Sequence, residues 1–220
     1  MSTYKKSLFF ENVFSADEIK ELIAYFDAEP VAHRFETQQT SNKNLSYDIP
    51  GSAVNLIVRP KLAQLLNDDD HKFFGGAYKE YNVPYPLHID NVIPTASITF
   101  KNEPNHQMVF LIPLMEGPLL KTVLFDVFMP EGHSFHANGT DQGRAGELEK
   151  FLLEEKTDIN MEDFDHIVEP FYSMLPYIPL ERIQPWKLGG VLAWPIDQLH
   201  CSTNFSKFNI TKKFMVIMIN

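Results

Sequence analysis

The 220-residue sequence predicts one mainly β domain, a sandwich or barrel with flanking helices. From Phe73 to Phe128 short apolar runs alternate with Pro, Asn and Gly, the texture of many short strands joined by turns, and strand character returns near the end of the chain. Helical signals lie before the first group of strands and between the two groups. Hydrophobic residues make up 44% and include 18 Phe, enough bulky material to fill the space between sheets.

Taken in order, Ser7–Phe14 is apolar enough for an opening strand. Ser15-Ala16-Asp17-Glu18 is a capping-box pattern: the Ser hydroxyl and the Glu three residues on each satisfy an amide left unpaired at a helix start. Ile19, Leu22, Ile23 and Phe26 follow at helical spacing and give one apolar face. A second short helix follows Pro60 through Leu62, Leu65 and Leu66, ending at Asp68-Asp69-Asp70. Strands are expected at Gly76–Tyr81, Leu87–Asn91, Ala96–Phe100, Met108–Leu114 and Thr122–Phe128, then at Leu188–Pro195 and Lys213–Ile219. Between them, helices are expected near Gly146–Lys156 and Met161–Tyr172. The expected layout is a single domain, 1–220: an N-terminal strand and helices over 1–75, a barrel core over 76–128 and 186–220, and a helical and loop insertion over 129–185. That insertion has too little continuous apolar periodicity for a core of its own, and is a candidate lid.

Net charge is −10 and the pI near 5.2, which argues against a phosphate backbone as partner, since such binders carry a basic face. Cys201 is the single cysteine, so intramolecular disulfides and Cys-rich zinc sites are excluded. The first residues are too briefly apolar for a signal peptide, and no run approaches the roughly 18 apolar residues of a membrane span. The cytoplasm is the expected location.

The chemistry concentrates in a few residues. In Tyr85-Pro86-Leu87-His88-Ile89-Asp90, residues two apart on a strand share a face, so His88 and Asp90 project together while Ile89 points away. An imidazole and a carboxylate at that spacing supply adjacent corners of a coordination sphere. A third ligand would complete the two-His, one-carboxylate face of a non-haem Fe(II) centre; alone, the pair is equally a surface His and Asp. Gly189-Gly190-Val191-Leu192-Ala193-Trp194-Pro195 reads as a turn and a buried strand, and His200 follows in a polar turn, placed to face back into a barrel. Lys212 and Lys213 open the last strand, where a lysine is costly unless its charge meets a partner such as a dicarboxylate cosubstrate. The bland alternative is two solvated lysines. Both faces of that strand are apolar, so parity does not choose between them; Lys213 is favoured because it abuts the apolar run, and Lys212 stays open. Tyr81 and Tyr85 are candidates to line the cosubstrate pocket, or to pack in the core.

This order, His-x-Asp, several strands, a Gly-led strand, a His and a basic residue starting the last strand, resembles the 2-oxoglutarate/Fe(II)-dependent dioxygenase superfamily. The prolyl-hydroxylase-like branch is the nearest likeness, through the helix Phe14-Ser15-Ala16-Asp17-Glu18-Ile19 and the Gly189–His200 segment. The resemblance implies a double-stranded β-helix (jelly-roll) fold and His88, Asp90 and His200 as metal ligands. It also implies Fe(II) and 2-oxoglutarate as cofactor and cosubstrate, with ascorbate as an accessory reductant. The activity implied is hydroxylation of a peptidyl side chain or a small amino-acid-like molecule, with release of succinate and CO2. Two features depart from the family pattern: the long 129–185 insertion between Asp90 and His200, and Lys where many relatives carry Arg. The competing expectations are a cupin-type metal enzyme that ignores 2-oxoglutarate and a non-catalytic jelly-roll binding module.

Other signals read as structure. His133 and His136 sit among Gly and Asn in what is expected to be a solvated loop, Trp186 and Trp194 are expected to pack in or beside the barrel, and Cys201 to fill space or modulate the site.

Overall fold

A computed structural model describes residues 6–28, 40–44, 52–70, 73–90, 108–130, 135–137 and 145–219. The expected strand Ala96–Phe100 and His133 lie outside them. In chain order the first elements are β1 (Leu8–Phe10), α1 (Ala16–Ala28), β2 (Thr40–Asn44), a π-helical turn (Val54–Val58) leading into α2 (Arg59–Leu66), and β3 (Phe73–Tyr81). They are followed by β4 (Met108–Pro113), β5 (Lys121–Phe128), α3 (Ala145–Leu148), α4 (Phe171–Met174), β6 (Leu180–Pro185), β7 (Val191–Pro195), β8 (Gln198–Ser202) and β9 (Lys212–Ile219).

The strands form two antiparallel sheets. The larger runs β1-β7-β4-β9-β3-β2 and the smaller β6-β5-β8. The smaller sheet continues past β8 through single bridges, from His200 to His88 and from His88 to His136. Strands β4 and β7 are buried along their whole length, which is why they read as continuous apolar runs without alternation.

Three apolar layers follow from this arrangement. On the outer face of the larger sheet, Phe110, Ile112, Met215 and Ile217 pack against Ile19, Leu22 and Phe26 of α1 and Leu62 of α2. Between the sheets lie Leu111, Leu192, Trp194, Phe214 and Val216 with Leu124 of the smaller sheet. On the smaller sheet's far side, Val123, Phe125 and Leu199 meet Phe135, Phe164 and Phe171 from the 129–185 stretch. Each fully buried side chain of this size contributes about 1.5–3 kcal/mol, so the insertion is part of the core.

Helix α1 begins as its capping box requires: Ser15 N–H donates to Glu18 Oε2 at 2.7 Å, and Glu18 N–H to Ser15 Oγ at 3.2 Å. Several expectations need correction. Of the strand expected at Leu87–Asn91, Asn91 lies outside the described residues, and residues 87–90 hold single bridges at His88 in place of a strand. The two helices expected in the insertion shrink to α3 and α4, continued by 3₁₀ turns at Glu149–Phe151 and Leu175–Tyr177, and a separate 3₁₀ turn at Met161–Phe164. The same stretch supplies β6, which pairs with β5, so the core recruits strand from outside 76–128 and 186–220. β1 and β2 extend the larger sheet from the N-terminal portion.

Candidate metal centre

The centre is built where three backbone segments of the smaller sheet run side by side. His88 and His200 exchange backbone hydrogen bonds at 2.9 Å in both directions. On the other side of the 85–90 segment, Ala137 N–H donates to Leu87 O at 2.7 Å and Ile89 N–H to Phe135 O at 3.1 Å. Leu87 and Ile89 point into the outer apolar layer, so His88 and Asp90 point between the sheets, as their spacing predicts. His136, expected in a solvated loop, instead bridges His88 and is half-buried, its ring centroid 5.7 Å from that of His88.

His200 lies within β8, not in the polar turn expected for it; the turn is the pair Ile196-Asp197. Leu199 and Cys201 flank it and pack into the outer layer, while His200 faces inward. The ligand atoms of His88, Asp90 and His200 all lie within 4.8 Å of one another. His200 Nε2 is 3.2 Å from Asp90 Oδ2, and His88 Nε2 is 3.8 Å from Asp90 Oδ1.

Both rings are held by their other nitrogen. His88 Nδ1–H donates to Pro86 O at 2.8 Å and His200 Nδ1–H to Gln198 O at 2.9 Å. Those bonds fix the tautomer that leaves the Nε2 lone pairs free and aimed at the carboxylate, the arrangement a metal needs. Asp90 is held from behind by Trp194, whose Nε1–H donates to Oδ2 at 3.1 Å. Burial, and then the neighbouring His200, lower the His88 pKa well below the ordinary imidazole value. Burial opposes ionisation of Asp90, but positive charge on the adjoining imidazoles, His200 first and then His88, outweighs it and keeps the carboxyl below its usual range, and a bound cation would take the place of that charge. A neutral imidazole and an ionised carboxylate are the forms that ligate a cation. Residues His88, Asp90 and His200 therefore fit a divalent metal of the two-His, one-carboxylate type.

Opposite the triad, β9 and β3 supply the second wall of the same cavity. Here the preference between the two lysines reverses. Lys212 lines the cavity, buried, with its ammonium 4.7 Å from the ring centroid of Phe205 and 4.9 Å from that of Trp186. Lys213 faces the opposite side of the sheet, where it pairs with Glu80 at 3.0 Å. Alternation along β9 decides this: Phe214 and Val216 share the inner face with Lys212, and Met215 and Ile217 the helix-covered face with Lys213. Burial, and then the nearby Lys79, bring the Lys212 pKa down to about 7.

Tyr85 lines the cavity, its ring 4.3 Å from that of His88, while Tyr81 stacks behind it at 5.5 Å, buried in the core. Trp186 packs between the sheets as expected, donating to Thr122 Oγ1 at 2.9 Å. Burial pushes the Cys201 thiol up, so it stays protonated. Sequence reasoning missed Lys79 and the role of Trp194. The spacing of Lys79 and Tyr81 on one strand was a usable signal for the first, and nothing local signalled the second.

No family profile and no curated protein matches the sequence. Solved structures do. The α-ketoglutarate-dependent non-haem epimerase SnoN from nogalamycin biosynthesis superposes with a TM-score of 0.57 at 12% identity, over 97% of this chain and 77% of that one. HygX from Streptomyces hygroscopicus, with nickel and 2-oxoglutarate bound, gives 0.57 at 11% identity, over 97% and 82%. An oxidoreductase of the 2OG-Fe(II) oxygenase family from Burkholderia pseudomallei gives 0.51 at 9%, over 97% and 82%. At such identities the likeness establishes the fold, the double-stranded β-helix jelly roll with antiparallel sheets, and does not single out a prolyl-hydroxylase-like branch. Fold and site together define a jelly-roll protein whose His-Asp-His group could hold a metal between its sheets.

Proposed function

We propose that this chain is a non-haem Fe(II) and 2-oxoglutarate-dependent oxygenase, acting on a C–H bond of a small amino-acid-like molecule or a peptidyl side chain. The observation that carries the reading is the pair of pinned imidazoles: both Nδ1–H groups are tied to backbone carbonyls, so both Nε2 atoms converge with Asp90 on one buried point. His88, Asp90 and His200 would hold the iron. Lys212, across the cavity, would take the carboxylate of 2-oxoglutarate remote from the metal.

When bound, Fe(II) with 2-oxoglutarate supplies activation of dioxygen that no side chain can, leaving succinate and CO2. The protein's own contribution is positioning. Backbone bonds around His88 and His200 fix two ligands, Trp194 orients the third, and the apolar layers on both sides keep water away. Lys212, held among aromatic rings without a carboxylate in ion-pair reach among the described residues, is suited to an incoming anion. The likeness to the α-ketoglutarate-dependent SnoN and to HygX with 2-oxoglutarate bound supports the cosubstrate; the sequence resemblance supports the substrate class.

Anaerobic titration of the protein with Fe(II) and then 2-oxoglutarate tests the reading. It should give the weak visible charge-transfer band of the chelate, and air with ascorbate should then yield succinate. A protein that binds Fe(II) but develops no band with 2-oxoglutarate is not such an oxygenase.

A further inference from the structure

The cavity carries one cation more than the proposed cosubstrate needs. Lys79, on β3, lines it alongside Lys212. In the β3–β9 register Lys79 stands opposite Phe214 and Lys212 opposite Tyr81, so the two lysines are diagonal neighbours on the cavity face. Their ammonium groups sit among different rings. That of Lys79 is 5.6 Å from the centroids of both Tyr81 and Tyr85, and that of Lys212 lies against Trp186, Phe205 and Phe214. Lys79 thus stands beside Tyr85, whose ring is 4.3 Å from that of His88, and Lys212 among Trp186, Phe205 and Phe214. Among the described residues Lys79 has no carboxylate in ion-pair reach.

On the reading given above, a divalent metal, the Asp90 carboxylate, a dianionic cosubstrate and a charged Lys212 cancel. Lys79 is left over. A half-buried cation beside a filled site is costly without an anion to meet it, and it stands in a protein whose net charge is −10. We propose that Lys79 is a second anion-binding group of this cavity, and that the substrate oxidised here carries an acidic group, a carboxylate or a phosphate, which Lys79 holds. The ring of Tyr85, backed by the stacked Tyr81, is the cavity wall beside the Lys79 ammonium group.

The test uses the full chain, its lysines ¹³C-dimethylated, loaded anaerobically with Fe(II) and 2-oxoglutarate. Acetate and methyl phosphate are the probes, with acetamide and methanol as neutral controls. The Lys79 methyl resonance, identified by its loss in Lys79→Met, should shift saturably with one or both anions and not with the controls. Which anion works names the acidic group. Probe affinity, read from perturbation of the visible band, should fall by about tenfold or more in Lys79→Met, the worth of one charge-assisted hydrogen bond. The proposal is overturned if neither anion gives a saturable shift, if the neutral controls shift the resonance equally, or if Lys79→Met leaves probe affinity unchanged. It is overturned too if the anions shift Lys79 only while displacing 2-oxoglutarate, because Lys79 would then belong to the cosubstrate's own site. Absence of the band in the unsubstituted protein would sink the oxygenase reading instead, and the resonance would still report whether Lys79 binds anions.

Discussion

His88 and His200, distant in sequence, are joined by two backbone hydrogen bonds of 2.9 Å, each amide donating to the other's carbonyl. Two of the three candidate metal ligands are thus fixed by the sheet itself. A preformed site adds its binding energy to the folded state. At metal concentrations about a hundredfold above Kd the gain is about 2.7 kcal/mol, and each kcal/mol raises Tm by about 2–4 °C in a chain of this length. Thermal melts with and without Ni(II) or Fe(II) under anaerobic conditions should show that rise. His88→Ala and Asp90→Ala should remain folded and lose it. A metal-dependent rise of equal size in either variant would mean that the ion binds elsewhere.

Trp194 donates to Asp90 Oδ2 at 3.1 Å, and its ring lies 4.9 Å from that of His200. Trp194→Phe keeps most of the buried ring and removes the donor. The carboxylate then loses its orientation, and metal affinity should drop by about 10–100-fold, the usual cost of losing a partner behind a ligand. Competition with a chromophoric chelator measures it. An affinity within threefold of the unsubstituted protein, about 0.7 kcal/mol, would show that the indole only packs.

The sequence made part of this legible. Period-two spacing put His88 and Asp90 on one face, and the capping box located α1, because both are local rules that the tertiary structure did not override. β6 was not readable: Leu180–Pro185 is half-buried on both faces, so its pattern shows no alternation. β8 was hidden for the opposite reason. Gln198, His200 and Ser202 are polar but buried: His200 and Ser202 line the cavity, and Gln198 donates to Phe125 O and to Glu181 Oε2. The choice between Lys212 and Lys213 needed knowledge of which side of the larger sheet the helices cover. That is a tertiary fact.

Gly189 precedes β7 with φ of +76°, and its carbonyl accepts from Val13 N–H at 2.8 Å and Phe14 N–H at 2.9 Å. A Cβ there would lie 2.2 Å from Phe14 O. Only glycine tolerates both the backbone angle and the close approach. Gly189→Ala should therefore destabilise the fold by about 1–3 kcal/mol or more, lowering the urea midpoint without changing the slope. A midpoint shift equivalent to less than about 0.5 kcal/mol would show that the turn relaxes freely.

Lys212 gives the pH dependence. Burial and then Lys79 lower its pKa in the folded state from the ordinary 10.5 to about 7. Between those two values the unfolded chain holds more protons than the folded one, so this lysine makes stability rise as pH climbs through that window. Lys212→Met should flatten the rise and be more stable than the unsubstituted protein near neutral pH. Cosubstrate binding has the opposite sign. A carboxylate prefers the charged amine, so above pH about 7 binding must take up a proton, and 2-oxoglutarate affinity should weaken by up to about tenfold per pH unit. Lys212→Arg, charged throughout, should bind with little pH dependence over the same range. Lys213→Ala, on the far face with Glu80, should leave affinity and its pH slope unchanged and cost no more than about 1 kcal/mol. Isothermal titration of 2-oxoglutarate into the Ni(II)-loaded protein at pH 6.5, 7.5 and 8.5 (three points spanning about 2 units around the Lys212 value) compares all three variants. If Lys213→Ala weakens binding while Lys212→Met does not, the cosubstrate's carboxylate is held on the other side of the sheet, and the cavity assignment fails.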